Sequence, residues 1–130
     1  MKFIVLFAFV ALAAAQDYYT TLNDNLNVAA ILANPVELRA YLDCFEDKGP
    51  CTDLAYSFKK NMREAIQQAC RRCNTKQKFI VYTFLNGMKR LPQELAAFKN
   101  HYDPENKYFD ALEREVDILP MRHLHSYRYY

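Results

Sequence analysis

The sequence predicts an all-α fold, a compact bundle of about six short helices. Apolar residues recur at the spacing of one helix face in successive segments, and most of these segments begin at a proline or a capping residue. The whole chain of 130 residues contains only two glycines, fewer than the tight turns of a sandwich or barrel need. Its Ala, Leu, Lys, Glu and Gln content also favours helices.

The first fifteen residues have the pattern of a secretory signal peptide. Lys2 supplies the positive charge, and an unbroken apolar run follows from Phe3 to Ala15. This run is shorter than the roughly 18 to 20 residues that span a bilayer. The small residues Ala13-Ala14-Ala15 suit cleavage after Ala15. We therefore expect a secreted, extracellular protein, with an uncleaved anchor as the alternative.

We expect a helical domain over residues 16–120 and a basic, aromatic tail over residues 121–130. Once Lys2 is removed, 16 basic residues face 15 acidic ones, a net charge of +1. This balance argues against a nucleic-acid-binding protein, and the aromatic content of 15% argues against disorder. The remaining chain has no apolar run long enough for stable membrane insertion.

The first two helices are predicted over residues 28–33 and 35–45. Asn25 or Asn27 caps the first helix, and Asn34, followed by a proline, caps the second.

The third helix begins after Thr52 and ends near the second pair of cysteines. Its apolar stripe consists of Leu54, Phe58, Met62, Ala65, Ile66 and Ala69.

The fourth helix begins at Asn74 or Thr75 and contains a segment, residues 79–85, that is apolar on nearly all faces. Such a helix is expected in the middle of a bundle. The same residues are β-branched and aromatic, so a buried strand is the alternative. We favour a helix because residues 75–91 contain no turn signal before Asn86-Gly87.

Proline residues start the last two helices. Pro92 opens the fifth and Asp103-Pro104 opens the sixth, while Pro120 ends regular structure.

The four cysteines follow the pattern C-x6-C-x18-C-x2-C. An even number in a small secreted domain indicates two disulfides. Of the three possible pairings, local geometry favours Cys44–Cys51, which spans a Gly-Pro turn, and Cys70–Cys73, at a helix end. A zinc site formed by the four thiolates and a thioredoxin-like C-x-x-C motif are the alternatives.

Several motifs together resemble the insect chemosensory proteins, also called the OS-D-like or A10 family. The resemblance covers roughly residues 19–116 and rests on the cysteine spacing and on short matches in the same order. These are Tyr19-Thr20-Thr21, Asp24-Asn25-Leu26-Asn27, Ile31-Leu32, Ala40-Tyr41-Leu42-x-Cys44, Lys48-Gly49-x-Cys51, Cys70-x-x-Cys73-x-x-Lys76-Gln77-Lys78 and Tyr102-Asp103-Pro104-x-x-Lys107-Tyr108.

The resemblance implies a secreted carrier of fatty-acid-like, pheromone or odorant molecules, without a cofactor. The ligand would lie in a cavity inside the helical bundle, a common location for apolar ligands. Ten residues are predicted to contact it: Ile31, Tyr41, Phe58, Met62, Ile66, Phe84, Leu85, Met88, Leu95 and Leu112. Because both disulfides use all the cysteines, we expect a monomer rather than a covalent dimer.

The sequence departs from the family pattern at three positions and in its tail beyond Pro120. Leu95 replaces the usual tryptophan of the fifth helix, and Asn23 replaces a second tyrosine of the opening segment. Asn106 replaces the glycine after the Asp-Pro turn, where asparagine still tolerates a positive φ. The first two changes bear on the identity of the ligand.

Two other classes of function compete with the carrier. An enzyme is disfavoured because G-x-S-x-G, H-E-x-x-H and P-loop motifs are missing, and His123-x-His125 offers only two metal ligands. The second alternative is a secreted interaction or developmental protein with a closed core, which acts through its surface or through residues 121–130.

Overall fold

The computed structural model describes residues 17–117, and this part of the chain contains six helices joined by short turns. They are α1 (Val28–Leu32), α2 (Pro35–Phe45), α3 (Asp53–Gln67), α4 (Thr75–Met88), α5 (Pro92–Tyr102) and α6 (residues 109–117). The predicted all-α architecture is therefore confirmed. The predicted signal peptide, residues 1–15, and the tail, residues 121–130, lie outside the described residues and stay predictions.

Asparagine and threonine side chains start the first four helices. The side chains of Asn27, Asn34, Thr52 and Asn74 each accept a hydrogen bond from the backbone N–H three residues later. In α4 the side chain of Gln77 also bonds back to the N–H of Asn74, completing a capping box. These caps explain why α4 is a helix despite its β-branched content.

The start of α6 differs from the prediction. Asp103-Pro104 begins a turn, and the helix starts only at residue 109. Asn106 has φ of +54°, which a helix cannot contain. The buried carboxylate of Asp103 accepts hydrogen bonds from the N–H groups of Lys107 and Tyr108 at 2.7 and 2.8 Å. Burial opposes the charge, but these bonds hold the pKa of Asp103 below its usual value.

Helix α4 packs closely against α1 but is not buried on every face. A Cβ atom on Gly87 would lie 2.3 Å from Cδ1 of Leu32. The lack of a side chain at Gly87 therefore lets Leu32 of α1 approach α4 closely. The expected turn at Asn86-Gly87 lies inside the helix. The expectation that this helix lies in the middle of the bundle holds only in part, because Phe79 is 52% exposed.

A chain of aromatic contacts joins four helices. The rings of Phe45 and Phe84 lie 6.4 Å apart, those of Phe84 and Phe98 lie 5.2 Å apart, and those of Phe98 and Phe109 lie 6.1 Å apart. All three pairs meet edge to face, the arrangement that aromatic rings prefer. The hydroxyl of Tyr102 donates a hydrogen bond to the carbonyl of Phe45, which fixes α5 against the end of α2.

Two local disulfides brace the turns on either side of α3. Cys44 pairs with Cys51, and Cys70 pairs with Cys73, as predicted. Both Cα separations, 4.9 and 5.0 Å, are ordinary for disulfides. The pairing contradicts the zinc alternative, because the four sulfurs are bonded to each other.

Residues 17–27, here called the N-terminal strap, lie across the bundle and are fastened through Tyr19. The backbone N–H of Tyr19 donates to the carbonyl of Arg72 at 3.0 Å, and its carbonyl accepts from Nε2 of Gln77 at 2.7 Å. Its hydroxyl donates to Oε1 of Glu64 at 2.7 Å. The strap is therefore attached to both α3 and α4.

Asp24 forms the second fastening point of the strap. Its carboxylate accepts hydrogen bonds from the Thr21 hydroxyl, from Nδ2 of Asn74 at 3.0 Å and from Nε2 of Gln77 at 3.1 Å. These bonds, with that from Thr21 the strongest, lower the pKa of Asp24. The polar start of α4 thus holds the strap in place.

The Glu64 carboxylate contacts both the Tyr19 hydroxyl of the strap and the guanidinium of Arg72. Its Oε1 lies 3.1 Å from a guanidinium nitrogen of Arg72. The hydrogen bond from Tyr19 and the positive charge of Arg72 lower the pKa of Glu64. Burial and the Glu64 carboxylate in turn raise the pKa of Tyr19 to about 12.

We expect Asn74→Ala to destabilise the protein by about 1–2 kcal/mol, since it removes the α4 cap and a bond to Asp24. The matched variant Asn34→Ala removes only a cap, because among residues 17–117 that side chain bonds only the N–H of Glu37. Urea unfolding followed by circular dichroism measures both. Equal losses in the two variants would contradict the dual role of Asn74.

We expect Glu64→Gln to unfold at a lower urea concentration than the unaltered protein at neutral pH, because the variant loses the charge that pairs with Arg72. The folded pKa of Glu64 lies below its ordinary value of 4.5. Its stabilisation is therefore complete above pH 4.5 and disappears as the pH falls through the lowered folded value.

The difference in urea midpoint between Glu64→Gln and the unaltered protein should accordingly shrink in acid, when the Glu64 side chain is also uncharged. Glu94→Gln is the control, because the Glu94 carboxylate lies 3.9 Å from the guanidinium of Arg39 in a looser contact. A Glu64→Gln difference that is as large at about pH 3 as at neutral pH would refute this account.

Candidate ligand-binding site

The bundle encloses an apolar cavity of about 120 Å³, with the N-terminal strap along one side. Its wall is formed by side chains from all six helices, the strap and the second disulfide. The lining residues are Tyr19, Thr21, Leu26, Val28, Ile31, Leu38, Tyr41, Phe45, Phe58, Asn61, Met62, Ala65, Ile66, Cys70, Cys73, Gln77, Ile80, Val81, Phe84, Leu85, Phe98, Phe109 and Leu112.

Eight of the ten predicted contact residues line this cavity. They are Ile31, Tyr41, Phe58, Met62, Ile66, Phe84, Leu85 and Leu112. The other two do not. Met88 is completely buried in the core, and Leu95 packs against the core from α5. Contact with a ligand remains a prediction for all ten.

Periodicity could not identify the contribution of the N-terminal strap. Tyr19, Thr21 and Leu26 line the cavity from a segment that has no helical repeat of its own. Helical spacing marks Phe98 and Phe109 as apolar positions of their helices, but this spacing does not separate cavity wall from core. Asn61 was missed because a polar residue does not belong to an apolar stripe.

Two of the sequence departures lie away from the cavity wall. Asn23 forms a turn, in which its side chain accepts a hydrogen bond from the N–H of Asn25 at 2.9 Å. Leu95 is only partly buried and does not line the cavity. The replacements at these positions therefore do not by themselves fill the space.

Among residues 17–117, no charged side chain lines the cavity. The polar groups of the wall are two phenols, one hydroxyl and two amides, from Tyr19, Tyr41, Thr21, Asn61 and Gln77. Burial, followed by the nearby Glu37 carboxylate, raises the pKa of Tyr41, so its hydroxyl stays neutral at physiological pH. The wall suits an apolar molecule that has few polar atoms.

A second hollow of about 200 Å³ lies beside the first disulfide, with Tyr41 shared between the two. It is lined by Glu37, Ala40, Tyr41, Cys44, Pro50, Thr52 and Ala55. Most of these side chains are short or polar, and they present little apolar surface to a ligand. We therefore take the smaller, apolar cavity as the candidate site.

Other kinds of site find no support in the part of the chain that the structure describes. Within residues 17–117, no cluster of three or more His, Cys, Asp or Glu side chains is arranged to hold a metal ion. Over the same range, none of the helices has the length and hydrophobicity needed to cross a membrane.

Comparison with known proteins agrees with this architecture. The model of the insect pheromone-binding family A10/OS-D matches residues 19–110. Ejaculatory bulb-specific protein 3 of Drosophila melanogaster is 34% identical over 104 residues, covering 76% of this chain and 79% of its own length. Allergen Tha p 1 of Thaumetopoea pityocampa is 31% identical over 109 residues, covering 78% of this chain and 84% of its own length.

The structure also resembles that of a chemosensory protein in complex with bromo-dodecanol. The TM-score is 0.67 at 28% identity, and the match covers 74% of this chain and 97% of the other. The residues that match the family model, 19–110, include most of the strap, both disulfides and most of the cavity wall. The chain thus belongs to the insect pheromone-binding family A10/OS-D, the chemosensory proteins.

Proposed function

We propose that this protein is a secreted carrier that binds small hydrophobic molecules in the cavity between its helices. The observation that carries the proposal is a cavity of about 120 Å³ whose wall is apolar apart from five residues with neutral polar groups. The complex of the similar chemosensory protein with bromo-dodecanol supports the same class of ligand.

The size of the cavity defines what it can accept without rearrangement. Apolar cavities of about 150 Å³ in other proteins stay dry and bind benzene. A space of about 120 Å³ therefore suits a small ring or a short alkyl segment. A long alkyl chain requires the wall to move, and Met62 is suited to this because methionine adapts its unbranched side chain to different shapes.

Burial of an alkyl chain supplies a large part of the free energy of binding. Each buried methylene contributes about 0.8 kcal/mol. Roughly eight to ten methylenes contribute about 6 to 8 kcal/mol before the cost of immobilising the ligand, so micromolar binding, at about 8 kcal/mol, needs further contacts with the wall. A short ligand, with fewer methylenes, would bind more weakly.

Secretion is supported by the two disulfides, which form and persist in oxidising compartments. The alternative of an interaction protein with a closed core is disfavoured by the cavity itself. The tail on which that alternative depends, residues 121–130, lies outside the described residues.

A titration of the oxidised mature protein with a fluorescent apolar probe tests the proposal. We expect saturable binding to one site, with displacement of the probe by micromolar concentrations of alkyl ligands. A folded, helical protein with intact disulfides that binds no probe would exclude the carrier function.

We expect Ala65→Leu to weaken probe binding about tenfold, since the larger side chain occupies space on the cavity wall. Ala97→Leu is the matched control, because Ala97 is exposed on α5 and lies away from the cavity. Circular dichroism and urea unfolding establish that both variants fold. If both variants bind the probe as well as the unaltered protein, the ligand site lies elsewhere.

A further inference from the structure

The charges of the described residues are distributed unevenly along the chain. From residue 65 to residue 93 the sequence contains six basic side chains and no aspartate or glutamate. The rest of residues 17–117 contains eight basic and fifteen acidic side chains. The balanced charge of the whole protein therefore combines a segment of charge +6, which includes helix α4, with a remainder of charge −7.

Two of the six cations in this segment are already paired. Arg72 contacts Glu64 at 3.1 Å, and Lys78 contacts Glu115 at 3.0 Å. The other four are exposed and form no salt bridge within residues 17–117; they are Arg71, Lys76, Lys89 and Arg90. Three of these four lie at the ends of α4, one in its first turn and two directly after its last residue. Positive charge is therefore exposed at both ends of this helix.

Helix α4 has two different faces. Its inner face contributes to the cavity wall through Gln77, Ile80, Val81, Phe84 and Leu85. The opposite face, here called the outer face of α4, consists of Lys76, Phe79, Tyr82, Thr83 and Asn86, which recur three and four residues apart. None of these five residues lines the cavity.

Aromatic side chains occupy the middle of the outer face. Phe79 is 52% exposed, and its ring lies 6.5 Å from that of Tyr82. The hydroxyl of Thr83 donates to the carbonyl of Phe79 at 2.8 Å, so the helix itself satisfies it. The outer face thus presents an exposed aromatic pair between two basic ends.

This combination is typical of helices that lie on the surface of an anionic membrane. Lysine and arginine are attracted to the head groups, while aromatic rings enter the boundary between head groups and acyl chains. Val36 on α2 is even more exposed, at 82%, but it precedes Glu37, and α2 also contains Asp43. Charge therefore favours α4 over α2 for such a contact.

The tail of the same chain is a less suitable occupant of the outer face. Residues 118–130 contain two arginines and no acidic residue. Contact between this tail and the basic ends of α4 would bring like charges together, which is unfavourable. The charge of the outer face instead calls for an anionic partner.

We propose that the outer face of α4 docks on the surface of lipid bilayers that contain anionic phospholipids. Phe79 enters the head-group region, and Lys76, Lys89 and Arg90 lie near the anionic groups. The contact is peripheral, since none of the helices within residues 17–117 is suited to crossing a membrane. The inference goes beyond the proposed carrier function and does not depend on it, because the outer face is not part of the cavity wall.

Centrifugation of the oxidised mature protein with lipid vesicles tests the proposal. We expect the protein to bind vesicles made of equal amounts of phosphatidylcholine and phosphatidylserine, and not to bind vesicles of phosphatidylcholine alone. Because salt shortens the Debye length from about 10 Å at 0.1 M to about 3 Å at 1 M, the higher concentration should weaken binding at least tenfold. Equal binding to both kinds of vesicle would overturn the proposal.

The basic ends of the outer face are tested with Lys76→Gln/Arg90→Gln. At about fivefold for each cation near the membrane, this double variant should bind the anionic vesicles at least tenfold more weakly. Lys60→Gln/Lys107→Gln is the matched control, because it changes the net charge equally and both lysines are exposed outside residues 65–93. Equal losses in the two double variants would show that only net charge matters and would refute docking through α4.

The aromatic part of the outer face is tested with Phe79→Gln. Since half of this side chain is already buried in the protein, its removal should weaken vesicle binding roughly fivefold. Val36→Gln is the control, because it removes an equally exposed apolar side chain from α2. If Phe79→Gln binds as tightly as this control, the protein recognises negative charge without entering a lipid surface, and the proposal is wrong.

A second copy of the protein is the other anionic partner that the charge distribution allows. Size-exclusion chromatography at low salt identifies it. Self-association that Lys76→Gln/Arg90→Gln abolishes, without any binding to vesicles, would assign the outer face to a protein contact and overturn the proposal. Binding of an apolar probe in the cavity should be the same in all these variants, so failure to dock on membranes is distinguished from failure of the carrier function.

Discussion

The cavity is the constraint on which the rest of this structure depends. A bundle of six short helices stabilises itself by filling its centre, but here about 120 Å³ is left open. At roughly 24 cal/mol per Å³, such a space costs about 3 kcal/mol relative to a filled core. The protein must offset this cost with contacts that do not close the cavity.

Most of the contacts that stabilise the fold are made by residues of the cavity wall itself. In the chain-entropy description, closing loops of about eight and four residues contributes roughly 2.5 and 2 kcal/mol, which is similar to the cost of the cavity. The aromatic contacts from Phe45 through Phe84 and Phe98 to Phe109 connect the helices along one side. The hydrogen bonds of the N-terminal strap to Gln77 and Glu64 hold the other side. The residues that line the cavity thus also hold its wall together, and the space between them stays free for a ligand.

Helix starts and disulfides were the most predictable features, because each depends on residues close together in the chain. Asn34 and Thr52 cap helices where local hydrogen-bonding rules place them. The start of α6 was missed because the buried Asp103 carboxylate organises a turn, an arrangement that depends on tertiary burial. The packing of Gly87 against Leu32 was equally invisible, since a glycine near a helix end also predicts a turn.

The cavity wall was predictable only in part, because it too depends on tertiary packing. Helical spacing identifies Met62 and Ile66 as inward-facing, but it cannot tell a residue that faces a space from one that faces another side chain, as Met88 does. The strap reaches the cavity through long-range hydrogen bonds that leave no periodic signal. Asn61 is recognisable only once the wall around it is known.

The most direct test of the account is to locate a bound alkyl ligand by NMR, using contacts between its methylene protons and protein methyl groups. The account predicts contacts to Ile31, Met62, Ile66 and Leu112, which come from three different helices and meet inside the cavity. Contacts confined to exposed apolar side chains such as Leu22, Val36 or Phe79 would place the ligand on the surface and contradict the account.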